Sequence, residues 1–293
     1  MVVKKAIGWA KLRHISSKKK KVAVILHNYP PKNSNIGSAA GLDTAESLYQ
    51  LLCQMQRQGY DVGKLPESAE MLMQMVLAVA TNDRAFLSES ALELAQGKMS
   101  DGTYIQYYQT FAEKNKEELR QNWGAPPGEV LHFENYLLIP GIAFGNIWVG
   151  VQPPRGFGEN LSAVYHSPTL PPTHQYLAFY EWVRSGWYAD AVVHLGTHGS
   201  MEWLPGKGTG LSDTCYPDRA LRDIPDIYPY WITIVGEGIQ AKRRGSACLI
   251  GHMSPPQEEA GGYGEYIELS RLVDEYRTCL LYTSDAADDS PPV

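Results

Sequence analysis

Cysteine is scarce: four occur among 293 residues, at 53, 215, 248 and 279, and no two form a CxxC pair. That excludes a disulfide framework or a cysteine zinc site and leaves buried free thiols. Long apolar runs are also missing. No stretch approaches the ~20 residues a helix needs to cross a bilayer. The opening MVVKKAIGWAKLRHISSKKKK is charged and lacks the continuous apolar segment of a secretion signal, so a cytoplasmic location is expected. Nor is there a cationic excess. The net charge of −6 argues against a general nucleic-acid binder, which needs a basic face. Hydrophobic residues at 44% supply a packed core for one large or two medium domains.

What is present alternates in type. VAVILH (Val22–His27) has the apolar continuity of a buried parallel strand, and the Pro-, Asn- and Gly-rich NYPPKNSNIGSAAG that follows cannot extend it. A helix then opens at Asp43 or Thr44, with Glu46 in its first turn and Leu48, Leu51, Leu52 and Met55 on one face, and ends at Gly59. A second helix is predicted over about Pro66–Ala80, and a polar, exposed helical segment over Asp101–Trp123. GAPPGE (Gly124–Glu129) reads as a break between lobes. Beyond it lie two β-rich runs split by Pro140 and Gly141, and a helix opening at Pro172 or Thr173. Strands follow at Ala191–Leu195, Trp231–Val235 and Ala247–His252, and a last helix at about Tyr263–Tyr276.

The pattern predicts an α/β fold with one or two mostly parallel-sheet lobes and its chemistry at the carboxyl ends of strands. The expected divisions are a lead-in over 1–19, a first lobe over 20–128 and a second over 129–277. The acidic, small-residue tail at 278–293 fits nothing before it and resembles translated adapter sequence rather than native protein.

The densest chemistry lies in VHLGTHGSMEWLPGKGTG (Val193–Gly210), where His194, His198 and Glu202 are each four residues apart. A helical metal ladder would run through Gly196 and Gly199 at about 1 kcal/mol each, and the HExxH zinc spacing is absent. A strand running into a loop is the better reading, with His194 at the strand tip; the alternative is hydrogen-bonded histidines beside a packed Trp203. PGKGTG fails as a phosphate loop, because Met201 stands where the first glycine is needed and Gly208 where Ser or Thr is needed. VGEGIQA (Val235–Ala241) matches a dinucleotide fingerprint only weakly, and with Lys242–Arg244 behind it reads as a tight turn with a basic surface. In VQPPRG (Val151–Gly156), Gln152 and Arg155 end a strand, and the guanidinium could grip a carboxylate or belong to a rigid surface loop. His27, Asn28 and Lys32 end another strand.

Six segments, ILHNYPPKNSNIGSAAGLDTAESLYQLL, GNIWVGVQPPRG, YHSPTLPPTHQYLAFYEWV, ADAVVHLGTHGSMEWLPGK, GEGIQAKRRG and GHMSPPQEEAGGYGE, share one likeness. In that order, across about residues 5–277, they resemble the large tetrapyrrole-binding subunit of the cobaltochelatase (CobN) and magnesium chelatase family. The first segment is closer to the cobalt branch. Family subunits are several times longer, so the resemblance implies an internal piece of a multidomain subunit.

It also implies ATP-dependent insertion of Co²⁺ into hydrogenobyrinic acid a,c-diamide in cobalamin synthesis. An AAA+ ATPase and a companion subunit bearing a metal site would be the partners, with ATP and Mg²⁺ on the partner and no nucleotide site in this chain. On that reading His194 and His198 deliver or orient the metal, and Glu202 is a ligand or proton acceptor. Lys207 and Arg155 pair with macrocycle carboxylates, Trp203 and Tyr165 cover its face, and Gln152, His166, His174, His27 and Asn28 contact it. Competing readings are the magnesium chelatase subunit, a non-catalytic tetrapyrrole-binding module and a stand-alone metallohydrolase.

Overall fold

The computed structural model describes residues 2–29, 31–37, 39, 41–82, 93, 95–156, 164, 167–196, 199–253, 269, 272, 273 and 276. The expected helix at Tyr263–Tyr276, apart from four single residues, and the tail at 278–293 lie outside them.

Met1–Ser254 forms one compact unit. Its helices are α1 (Val2–Leu12), α2 (Thr44–Arg57), α3 (Ala69–Val79), α4 (Asp101–Gln109), α5 (Glu113–Trp123), α6 (His174–Ser185), α7 (Tyr216–Ala220) and α8 (Val235–Gln240). Strands β1 (Val22–Leu26), β5 (Gly141–Phe144), β6 (Ile147–Val151), β7 (Ala191–Leu195), β8 (Asp226–Trp231) and β9 (Cys248–His252) build a six-stranded sheet of order β5-β6-β1-β7-β8-β9. Every pairing is parallel except β5 with β6. A separate antiparallel sheet orders β2 (Gly97–Ser100), β4 (Tyr136–Ile139) and β3 (His132–Phe133).

Alternation along β1 explains the layering. Val22, Val24 and Leu26 pack with Leu48, Leu52, Leu72 and Val76 of α2 and α3, while Ala23 and Ile25 face the aromatic core of α4, α6 and α7. Burial on both faces is what its uninterrupted apolar sequence requires. Asp43 caps α2 by accepting from the Glu46 N–H at 3.0 Å, as its spacing predicts.

Four local expectations need correction. Asp101–Trp123 is two helices, and Tyr104, Tyr107 and Tyr108 are buried, because three tyrosines offer apolar rings to the core and direct their hydroxyls to acceptors. The run Tyr136–Val151 is three strands, with Pro140 passing the chain from the small sheet to the large one. The strand expected at Trp231–Val235 begins earlier, at Asp226, and Val235 already opens α8. Finally, the main sheet places β1, from one side of Gly124–Glu129, between β6 and β7 from the other. That break is a turn inside one unit, carrying a cis peptide at Pro126–Pro127.

Candidate active site at the strand ends

Parallel register brings three loops together. Leu26 pairs with both Val151 and Leu195, so His27 and Asn28, Gln152, and Gly196 emerge at one level from the carboxyl ends of β1, β6 and β7. His27, Gln152, His194, Gly196 and Gly199 line a cavity of about 10 Å³ there, room for about one water. Gly196 is needed for its φ of +131°, and a Cβ there would also meet that of His27 at 3.1 Å. A far larger groove of about 700 Å³, between α2 and the β7–β9 face, is mostly apolar and apart from this chemistry.

The polar residues form a network whose protons can be assigned. Gln152 donates through Nε2 to the hydroxyls of Tyr180 (2.6 Å) and Tyr176 (3.3 Å), and its Oε1 accepts from Ser200 Oγ at 3.0 Å. Tyr180 therefore donates its own proton to His194 Nε2 at 2.8 Å, and His194 Nδ1–H donates to Asp226 Oδ1 at 2.7 Å. Tyr176 completes the circuit by donating to Ser200 Oγ at 2.9 Å. Both nitrogens of His194 are thus engaged, which leaves no lone pair for a metal in this arrangement. His194, expected as a metal ligand, is in this structure an imidazole clamped between Tyr180 and Asp226.

Glu202 is placed differently. It lies in a 3₁₀ turn, Met201–Trp203, with 4% exposure, and its Oε1 has no hydrogen-bond partner. Burial first, then the neighbouring Glu237 carboxylate, push its proton affinity up to a pKa of about 8. The carboxyl rests against Gly199, where a Cβ would lie 2.7 Å from each oxygen. Arg244 holds the turn from behind, donating to the carbonyls of Glu202 (2.6 Å), Leu204 (2.5 Å) and Lys207 (3.0 Å).

Other expected site residues fall into three groups. His198, Tyr165 and His166 lie outside the described residues. Lys207 is exposed, and Trp203 is 40% exposed, so both side chains face outward beside the Glu202 turn. Arg155 and His174 are used internally. The Arg155 guanidinium is buried and donates to the carbonyls of Trp203 (3.2 Å), Ser167 (2.6 Å) and Leu170 (3.3 Å), so it stitches loops together rather than presenting a fork to a ligand carboxylate. His174 donates from Nε2 to the Gly124 carbonyl (3.0 Å) and accepts from Tyr104 (2.8 Å), and burial lowers its pKa. His174, expected to contact substrate, is buried and hydrogen-bonded within the core.

Sequence reasoning missed Ser200, Asp226, Tyr228, Glu237 and Arg244. It assigned Tyr176 and Tyr180 only to a packing face, although two hydroxyls four residues apart on a buried helix call for acceptors. Arg244, expected on a basic surface, is buried.

Tyr180→Phe removes the donor to His194 and an acceptor for Gln152. Unfolding in urea is expected to show a loss of about 1–3 kcal/mol, the cost of orphaned buried polar groups; an unchanged midpoint would contradict the proton assignment.

The sequence model of the CobN/Magnesium Chelatase family matches residues 1–289. The chain belongs to that family. The aerobic cobaltochelatase subunit CobN of Pseudomonas aeruginosa is 39% identical over 94% of this chain and 22% of its own length. The chloroplastic magnesium-chelatase subunit ChlH of rice is 36% identical over 94% of this chain and 19% of its own. The solved catalytic subunit of cobaltochelatase from Mycobacterium tuberculosis, 38% identical, superimposes with a TM-score of 0.76, covering 98% of this chain and 24% of that one. The chain therefore spans about a fifth to a quarter of the length of these relatives. Both metal branches of the family stand at nearly equal identity, so overall likeness does not choose between them. The described residues contain no group of three or more His, Cys, Asp or Glu side chains placed to hold a metal, and no helix among them is long and apolar enough to cross a membrane.

Proposed function

We propose that this chain carries the proton-accepting part of a tetrapyrrole metal chelatase subunit, and that the subunit inserts Co²⁺ into a corrin precursor, hydrogenobyrinic acid a,c-diamide, in the cytoplasm. The observation that carries the reading is Glu202: a buried carboxyl with an unpartnered oxygen and a pKa of about 8, at the strand ends of an α/β sheet. Insertion breaks ring N–H bonds as metal–nitrogen bonds form, and the released protons need an acceptor. A group titrating near working pH is matched to that task.

His198, four residues before Glu202, is the imidazole assigned to orient the incoming ion, a ligand type that suits Co²⁺ better than Mg²⁺. His194 serves through its clamp on Tyr180 and Asp226. Lys207 is the cation assigned to a peripheral carboxylate of the macrocycle, and Trp203, with Tyr165, to its face. ATP hydrolysis belongs to an AAA+ partner acting with a companion subunit, since PGKGTG lacks the residues of a phosphate loop.

Magnesium insertion into protoporphyrin IX is the second reading, favoured by the 36% identity to the rice subunit. The test offers each tetrapyrrole with each metal to the subunit reconstituted with its ATPase and companion, following insertion by absorbance. Turnover with Co²⁺ and the corrin precursor is expected. Turnover only with Mg²⁺ and porphyrin selects the second reading, and tetrapyrrole quenching without any insertion reduces the chain to a binding module.

A further inference from the structure

Glu237 is 1% exposed, in the first turn of α8, and so far enters the chemistry only through its charge, which raises the Glu202 pKa. A carboxylate so deeply buried is costly unless hydrogen bonds hold it. Its Oε1 accepts from the Tyr228 hydroxyl and from the Gly199 N–H at 3.2 Å, and the same N–H reaches the Tyr228 oxygen at 3.0 Å. On its other side Gly199 carries the Glu202 carboxyl, close enough to exclude a Cβ. One glycine is thus held between two carboxyl groups, adjacent to His198 and three residues before Glu202.

The GEG sequence makes this reach possible. A Cβ at Gly238 would lie 2.7 Å from the Tyr230 ring, so glycine lets α8 lie flat on that ring, which itself stacks on Tyr228 with centroids 6.2 Å apart. The approach of α8 sets how far the Glu237 carboxyl extends toward the Gly199 amide. What resembled a dinucleotide fingerprint is a seat for a helix.

We propose that Glu237, with Tyr228, is a positioning residue for the metal-insertion loop: by fixing the Gly199 N–H it sets where the Glu202 carboxyl, which rests against Gly199, stands. The inference rests on the chelatase reading for its effect on rate, though not for its effect on the loop. Holding the Gly199 N–H and the Tyr228 hydroxyl needs an oxygen and not a charge, whereas the effect of Glu237 on the Glu202 pKa is an effect of its charge.

Glu237→Gln keeps that oxygen, Glu237→Ala removes it, and Tyr228→Phe removes one of the two acceptors while keeping the ring stack. Amide hydrogen exchange across residues 196–204 in the free protein should be unchanged in E237Q, at least about 10-fold faster in E237A, and intermediate in Y228F. In the reconstituted complex E237A should lose about 10- to 100-fold in kcat with tetrapyrrole KM retained, a loss typical of misplacement near 1 Å, and E237Q should recover most of it. The proposal is overturned if E237Q falls as far as E237A, which would make the charge essential, or if E237A exchanges and turns over like the parent. If no protein inserts metal, the parent included, yet exchange follows the expected order, the chelatase reading fails and the positioning role stands.

Discussion

Replacing Glu202 by glutamine is expected to slow metal insertion at least about 100-fold with tetrapyrrole affinity retained, the range found when a positioned acid–base group is lost. The parent rate should rise with pH through about 8, as the carboxyl gives up its proton and becomes able to accept one from the ring. In Glu202→Gln that rise should vanish. Stability should move the opposite way. The carboxyl holds its proton up to about pH 8 when folded, against about 4.5 when unfolded, so across that interval the native state binds more protons. Its contribution to stability therefore falls as pH rises from about 4.5 to about 8. The glutamine variant escapes that loss and should unfold at higher temperature than the parent at pH 8 or above. Two measurements decide it: stopped-flow insertion and thermal unfolding, each across pH. An unchanged rate with tetrapyrrole still bound would remove Glu202 from the chemistry.

Arg244→Met should produce the largest loss of stability at the site. The guanidinium donates to three carbonyls between Glu202 and Lys207, a span that contains Pro205 and Gly206 and no regular structure beyond one 3₁₀ turn. Methionine keeps part of the stem volume and leaves all three carbonyls without their donor. About 3 kcal/mol is expected, which corresponds to roughly 6–12 °C in Tm for a unit of this size. Lysine, a single point donor in place of a planar fork, should restore only part of it. Calorimetry on the three proteins checks the order; a methionine variant that melts with the parent would show that the turn holds itself. The same substitution should also slow insertion, since it frees the turn on which Glu202 stands.

The architecture of this region was largely legible before the structure. Apolar continuity marked β1 as a buried parallel strand, and glycines at 196 and 199 argued a strand-to-loop site after β7 over a helical ladder. Both follow from local chemistry: a run with no polar face must be covered twice, and glycine disfavours helix. The motif order also placed the chain within its family, which the match over residues 1–289 bears out.

Which of the chemically capable residues are available was decided by tertiary structure alone. His194, Arg155 and His174 read as ligands or clamps because imidazole and guanidinium can serve as either. In the fold, Asp226, Tyr180, Tyr104 and the carbonyls of Gly124, Ser167 and Trp203 occupy them. Glu237 and Arg244 read as parts of a turn and a basic surface, yet they sit against Gly199 and the Glu202 turn, 38 and 42 residues away in sequence. Sequence periodicity reports which face of an element is buried. The partner met on that face depends on strand order and helix placement, and here β1 lies between β6 and β7 with β8 beside β7, while one oxygen of the Glu202 carboxyl is left without a hydrogen bond and the Asp226 and Glu237 carboxyls are held in theirs.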